Sequence, residues 1–247
     1  MLLRRITQHV KDQNWFAVFI DFIIVVVGVF IGIQVANWNE ELAERVLEQQ
    51  YLERIYFDTE RLITDIEDGL EWSEDQKASQ VVVLNSFRSG VLRPQDKAIF
   101  ERGLAFFGYS PIHTRESLAV QELKSSGRMA IISDIELREL IGLVEQRLST
   151  TKEHALHMKE NRRKHLSEVS SHWQFIESDF KPKGITKIQY DFDTLANNQE
   201  FINRLSQMRA MFQIQRRNAK NDQDDIRQLQ KAVVEVLGYT PQRKNNQ

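Results

Sequence analysis

Residues 16–33 read FAVFIDFIIVVVGVFIGI, an eighteen-residue run whose one charged side chain is Asp21. At about 1.5 Å of rise per residue, a helix of that length reaches the threshold for crossing the hydrocarbon core of a bilayer. Trp15 and Trp38 bracket the run. On one helix they stand about 35 Å apart, which sets an indole at each membrane–water interface. A cleaved signal peptide is the competing reading. The run contains an acid and is followed by Gln34-Val35-Ala36, which is not a small-x-small cleavage site, so an uncleaved anchor is expected.

Outward on the N-terminal side, Arg4, Arg5 and Lys11 precede the span, and Asp12 is the only acid among the first fourteen residues. Cations flanking a span stay on the cytoplasmic side. Residues 1–14 are therefore expected to be a cytoplasmic tail and 15–38 the transmembrane helix. The remainder then lies across the membrane, in the periplasm if the membrane is a bacterial inner membrane. On the other side of the span, residues 40–75 hold thirteen acids against three bases, a net of −10. Leu52, Ile55, Thr59, Leu62, Ile66 and Gly69 recur at alternating spacings of three and four there, the pattern of an amphipathic or coiled-coil helix face. This predicts an acidic helical stem over 39–90, stopped by Ser89-Gly90 and Pro94.

The rest also reads as helix. Helices are expected over 95–107, over 115–126 with Gly127 as its cap, and from a Ser133/Glu136 capping box to about Asp179. Lys181-Pro182-Lys183-Gly184 breaks the chain, and 185–192 (ITKIQYDF) reads as a short strand or extended loop. A last helix fits 198–237, closed by Gly238. The expected fold class is all-α: one N-terminal transmembrane helix continuing into a stalk and a long-helix bundle over 91–241, with a disordered polar tail over 242–247.

The stretch DFIIVVVGVFIGIQVANWNE (residues 21–40) resembles the N-terminal signature of an uncharacterised family of bacterial single-pass membrane proteins. That signature has an acid, an apolar run with Gly, then Gln and an Asn-Trp-Asn-Glu ending. The matching positions here are Asp21, Gly28, Gln34, Asn37, Trp38, Asn39 and Glu40, with Asp21 where the family pattern carries Glu. A second block, ELKSSGRMAIISDIELR (residues 122–138), is similar to another part of that family. The resemblance implies a single span and a helical architecture, and carries no activity with it.

Asp21, Val25, Gly28, Gly32, Val35 and Asn39 fall within about 40° of one line along a helix. Gly28-x-x-x-Gly32 lets a second helix approach closely, and an acid inside a bilayer faces protein or water. The stripe reads as an oligomerisation face in a homo-oligomer; the bland alternative leaves Asp21 hydrated near the inner interface. Phe19-Ile20-Asp21 is also similar to the start of the proton-using subunits of bacterial stator complexes, which implies an ion-driven assembly with a multi-span partner.

Other signals are weaker. His154, His157, His165 and His172 are expected on one long helix, with His154, His165 and His172 sharing a face. His165 and His172 would lie about 10.5 Å apart, too far for routine shared coordination, so polar contacts are expected rather than a metal site. Asp191-Phe192-Asp193-Thr194 superficially resembles the D-x-D-x-T of aspartyl phosphotransferases. Without alternating strands, Asp193 or Asn198 is expected to be a helix N-cap instead. Asp222-Gln223-Asp224-Asp225 lacks the Gly and the twelfth-position Glu of a calcium loop.

The chain has 247 residues, ten Gly, four Pro and no Cys. The absence of Cys excludes disulfides, thiolate zinc sites, iron–sulfur clusters and a Cys nucleophile. No phosphate-loop, dinucleotide, nucleophile-elbow or zincin motif is present, so neither an enzyme nor a cofactor is expected. A net charge of −2 gives no global case for nucleic acid. The local basic stretches, Arg147–Lys164 and residues 200–220, are expected to pair with the acidic stem.

Overall fold

A computed structural model describes residues 15–112, 115–179 and 184–243; the side chains of residues 15–18, 20 and 21 lie outside that description. The expected cytoplasmic tail, 1–14, also lies outside it. The chain divides into two compact units, Met1–Gln50 and Tyr51–Gln247.

Helix α1 runs unbroken from Trp15 to Ser89, 75 residues. No proline occurs before Pro94, so nothing removes an N–H from its ladder. It ends where Gly90 turns left-handed (φ +66°). The Gly90 N–H reaches the Phe87 carbonyl (3.3 Å) and the Val91 N–H the Ser86 carbonyl (3.2 Å), a Schellman closure that satisfies two terminal carbonyls.

From Tyr51 onward α1 buries one seam. Leu52, Ile55, Thr59, Leu62, Ile66, Gly69, Ser73, Gln76, Gln80, Val83 and Phe87 are all buried, at an unbroken 3–4 spacing. The seam starts apolar, turns polar from Gly69 to Gln80, and ends on Phe87. Residues 51–89 of the stem expected over 39–90 pack within the Tyr51–Gln247 unit, together with the bundle expected over 91–241. Most of the acidic stem belongs to the bundle and lines its core, because its heptad face has partners along the whole of 51–89.

The remaining elements follow in order. A 3-10 turn, Pro94–Asp96, leads into α2 (Lys97–Ala105), then α3 (Leu118–Ser125) and a 3-10 turn, Met129–Ile131. Next come α4 (Ile135–Val169), a 3-10 turn (Ser170–His172), strand β1 (Trp173–Ser178), strand β2 (Thr186–Tyr190), the short α5 (Phe192–Ala196) and α6 (Gln199–Leu237). Helix α3 closes on a second Schellman motif, with Gly127 at φ +69° and the Arg128 N–H on the Leu123 carbonyl (2.9 Å).

Two boundaries differ from expectation. The cap of α4 is Asp134, whose carboxylate accepts the Leu137 N–H at 2.8 Å, not Ser133. Helix α4 also stops at Val169 rather than near Asp179. Residues 173–178 (WQFIES) pair antiparallel with β2, Trp173 opposite Tyr190 and Phe175 opposite Ile188, with a bulge between Phe175 and Glu177. Aromatic and β-branched side chains suit that pleated pairing, and the pairing overrides the local helix pattern. The architecture is helical with this one hairpin, among the described residues.

The hairpin closes the end of a core built from Phe87, Phe100, Leu104, Trp173, Ile188 and Phe201, all buried. Phe87 is its hub. Its ring lies 5.2 Å from Phe100, 5.5 Å from Phe192 and 5.6 Å from Phe201, the offset and edge-on spacings that aromatic quadrupoles favour.

Helix α6 lies antiparallel to the 51–89 part of α1. Polar side chains bridge them in inverse order, Arg88 to Ser206, Ser73 to Arg216, and Glu67 to Gln223 and Arg227, and just past the end of α6 Tyr239 reaches Glu53. Of the pairing expected between the basic stretches and the acidic stem, Arg216 makes its contact inside one chain, with Glu74; the Arg147–Lys164 stretch pairs instead with Asp225, Glu116 and Glu160, none of them on the stem. Arg204 turns instead to Glu168 of α4 and to Glu200. Of the tail expected over 242–247, Arg243 pairs with Glu60 at 3.0 Å, and residues 244–247 lie outside the described residues.

Candidate functional site

The residues singled out on the span fall on the N-terminal part of α1. Trp15 and Asp21 are on its backbone, and their side chains lie outside the described residues. Gly28, Gly32, Trp38 and Asn39 are exposed, as are Val25 and Val35. A Cβ at Gly28 or Gly32 would meet nothing within 4 Å, so the small-residue stripe is an open face. Every described side chain from Phe22 to Val35 is exposed. This is the one candidate membrane span among the described residues, on length and composition.

The histidine stripe does not form. His154 and His157 are exposed on α4. His172 is past the helix end, in the 3-10 turn, with its ring edge-on to Phe201 at 5.2 Å. No group of three or more His, Asp or Glu is placed to hold a metal among the described residues. In the Asp191–Thr194 segment the cap is Asp191, not Asp193. Its carboxylate accepts from the Thr194 N–H (3.1 Å) and hydroxyl (2.7 Å), and these bonds hold it below the ordinary carboxylate range. Asn198 caps α6, accepting the Phe201 N–H at 3.0 Å.

Two sites within the Tyr51–Gln247 unit emerge only from packing. The first is the N-terminus of α3, where Ser117 accepts the Val120 N–H (3.2 Å). Asp58 of α1 accepts from the Ser117 hydroxyl (2.9 Å) and the Ala119 N–H (3.0 Å). Glu145 of α4 accepts the Ser117 N–H at 3.4 Å. Carboxylates suit this end of a helix because its free N–H groups and dipole are positive there. Glu145 is nevertheless only 4% exposed. Burial pushes its carboxyl above the ordinary range, with Glu116 and Asp58 adding to the rise and the Ser117 bond and Lys124 opposing it.

The second is a cleft of about 320 Å³ between α4, α6 and the turn at Gly108–Ile112. Its base is apolar: Met208 and Phe212 are each 1% exposed and Ile112 is buried. Gln215 donates to the Ile112 carbonyl at 3.2 Å, tying the turn to α6. Gly108 is required here, since its φ is +72° and a Cβ would sit 3.0 Å from Met208 Cε. Arg162 lies over the same turn. Its Nη1 donates to the Gly108 carbonyl (3.3 Å), and its guanidinium carbon lies 5.7 Å from the Tyr109 ring centroid. Burial pulls Arg162 below the ordinary guanidinium value, and Tyr109 partly opposes this.

The basic stretch on α4 is visible in sequence, but its partition is not. Arg147 is taken up by Asp225 (2.6 Å), Lys152 by Glu116 (3.3 Å) and Arg163 by Glu160 (3.1 Å). Lys159 and Arg162 form no ion pair among the described residues. The cleft's methionines, Met158, Met208 and Met211, sit on two helices more than forty residues apart, and no local motif announces them.

No protein-family model matches this chain, and neither a curated protein nor a solved structure matches it.

Proposed function

We propose that the chain is a non-enzymatic single-pass membrane protein that self-associates through its span and presents the Tyr51–Gln247 unit outside the cytoplasm as a sensor, scaffold or assembly module. The observation that carries this is the contrast along α1. From Phe22 to Val35 its apolar side chains are exposed throughout, while the buried core begins at Tyr51. An apolar face of that extent is stable only when lipid or another helix covers it. Arg4, Arg5 and Lys11 favour an N-terminus retained in the cytoplasm of a bacterium, with the span in its inner membrane. The open stripe at Gly28 and Gly32, with Asp21 and Asn39 on the same line, suits contact with a second copy. Membership of the single-pass family suggested by residues 21–40 accords with this reading.

A phosphatase fused after residue 247 is expected to be active outside the cytoplasm, and Gly28→Ile with Gly32→Ile to reduce self-association in a membrane two-hybrid assay. A reporter active only in the cytoplasm refutes the topology, and undiminished association refutes the glycine interface. Co-purification of a multi-span protein in mild detergent, lost in Asp21→Asn, favours instead an accessory subunit of an ion-driven complex.

A further inference from the structure

The cleft between α4 and α6 pairs two features that seldom coincide on a water-facing surface: an apolar floor and cations left without carboxylates. Three of its apolar side chains are methionines, unbranched and polarisable, which re-pack around an irregular apolar guest. Leu156 at the mouth is 60% exposed. On α4, Arg147, Lys152 and Arg163 are paired with carboxylates, whereas among the described residues the cleft-lining Lys159 and Arg162 are not. Among the described residues Arg162 makes one hydrogen bond to protein, to the Gly108 carbonyl. Its planar fork carries five N–H groups, so donors remain for a planar anion, and half-burial strengthens any such bond. The volume, about 320 Å³, is at the lower end of the range for small-molecule sites. It suits one chain rather than the paired chains of a phospholipid.

We propose that this cleft binds a free single-chain carboxylate amphiphile, of the fatty-acid class, with its carboxylate at Arg162 and Lys159 and its chain along Met158, Met211 and Phe212. The inference is independent of the orientation and self-association proposed above, because every residue it uses lies within the Tyr51–Gln247 unit.

The test uses the full chain in phosphatidylcholine nanodiscs with dodecanoic acid carrying a diazirine at the chain end, irradiated at pH 7.5 and mapped by peptide mass spectrometry. Label is expected on residues 152–162 and 208–215. Excess dodecanoate should displace it, and dodecanol and dodecyltrimethylammonium should not. Arg162→Gln should cut labelling at these sites at least tenfold. Because that change also frees the Gly108 turn, Leu156→Glu serves as a second variant: it adds a like charge at an exposed position and leaves the core intact. It should cut labelling at least fivefold without moving the unfolding midpoint. Label confined to residues 22–35 overturns the proposal. So does equal displacement by the cationic amphiphile, or undiminished labelling in both variants. Displacement by phosphatidylglycerol vesicles as effective as by dodecanoate also overturns it, assigning the cations to a bilayer headgroup.

Discussion

Arg216→Ala separates packing from charge as the reason α6 stays on α1. Arg216 is 7% exposed. Its Nε donates to the Ser73 hydroxyl at 2.7 Å, and its guanidinium also meets Glu74. Ser73 is fully buried, and its own proton goes to the Leu70 carbonyl at 2.8 Å. Removing Arg216 thus strips a buried hydroxyl of a charge-assisted donor, a loss of about 1.5–3 kcal/mol. It also uncovers a buried methylene stem, each CH₂ of which contributes about 0.8 kcal/mol. Allowing for partial relaxation, the substitution should cost about 3 kcal/mol. Glu74 presents the opposite case. Its side chain is 59% exposed and has Lys77 at 3.0 Å as a second partner. Glu74→Gln should therefore cost less than about 1 kcal/mol, and Arg216→Lys, which keeps the charge but loses the fork, an intermediate amount. Urea unfolding of the full chain in nanodiscs, followed by far-UV circular dichroism at 0.05 and 0.5 M NaCl (about 14 and 4 Å of screening length), measures all three. Similar losses for Glu74→Gln and Arg216→Ala, both abolished by salt, would show that surface charge holds the helices together and would refute the packing argument.

Two further outcomes follow from the same packing. Gly103→Ala should destabilise by about 1–3 kcal/mol by overpacking, since a Cβ there would lie 2.8 Å from both Ser79 Cβ and the Ser79 carbonyl oxygen; Gly142→Ala, where a Cβ meets nothing within 4 Å, should instead stabilise by about 0.5–1 kcal/mol. Equal effects at the two glycines in thermal unfolding would contradict the packing described here. Burial raises the Glu145 carboxyl in the folded state, so the stability its protonated form contributes is complete below the unfolded value of about 4.3 and is lost as pH rises through the raised folded value. Glu145→Gln, which keeps an acceptor for the Ser117 N–H, should raise the melting temperature at pH 7.5 and leave it almost unchanged at pH 4; a variant less stable than the parent at pH 7.5 reverses the sign and the argument.

The α1 seam shows where the pattern stays visible and where it fades. A hydrophobic reading follows it from Leu52 to Ile66 and reaches Gly69, then loses it, because Ser73, Gln76 and Gln80 look like solvent-facing residues. They are buried all the same, since the 3–4 geometry of a continuous helix carries them onto the face already committed to the core. The end of α4 failed for the opposite reason. Residues 170–178 continue a plausible helix, and only the partner strand at 186–190 makes extension the better state. Antiparallel pairing joins residues on either side of the Pro182-Gly184 break, which no local window spans.

What depends on one stretch of chain was legible in the residues alone: the apolar run and its bracketing tryptophans, the proline-free length of α1, the glycine stops at Gly90, Gly127 and Gly238, and the presence of acidic and basic segments. Helix continuity, hydropathy and glycine stops are settled within a few residues of each other, so the sequence states them directly. Only the tertiary structure decided which cations lose their charge partners, which carboxylates are buried, and which methionines meet across a cleft. Those properties belong to distances between α1, α4 and α6. At the cleft they turn on one left-handed glycine, Gly108, whose missing Cβ lets Met208 pack against the turn.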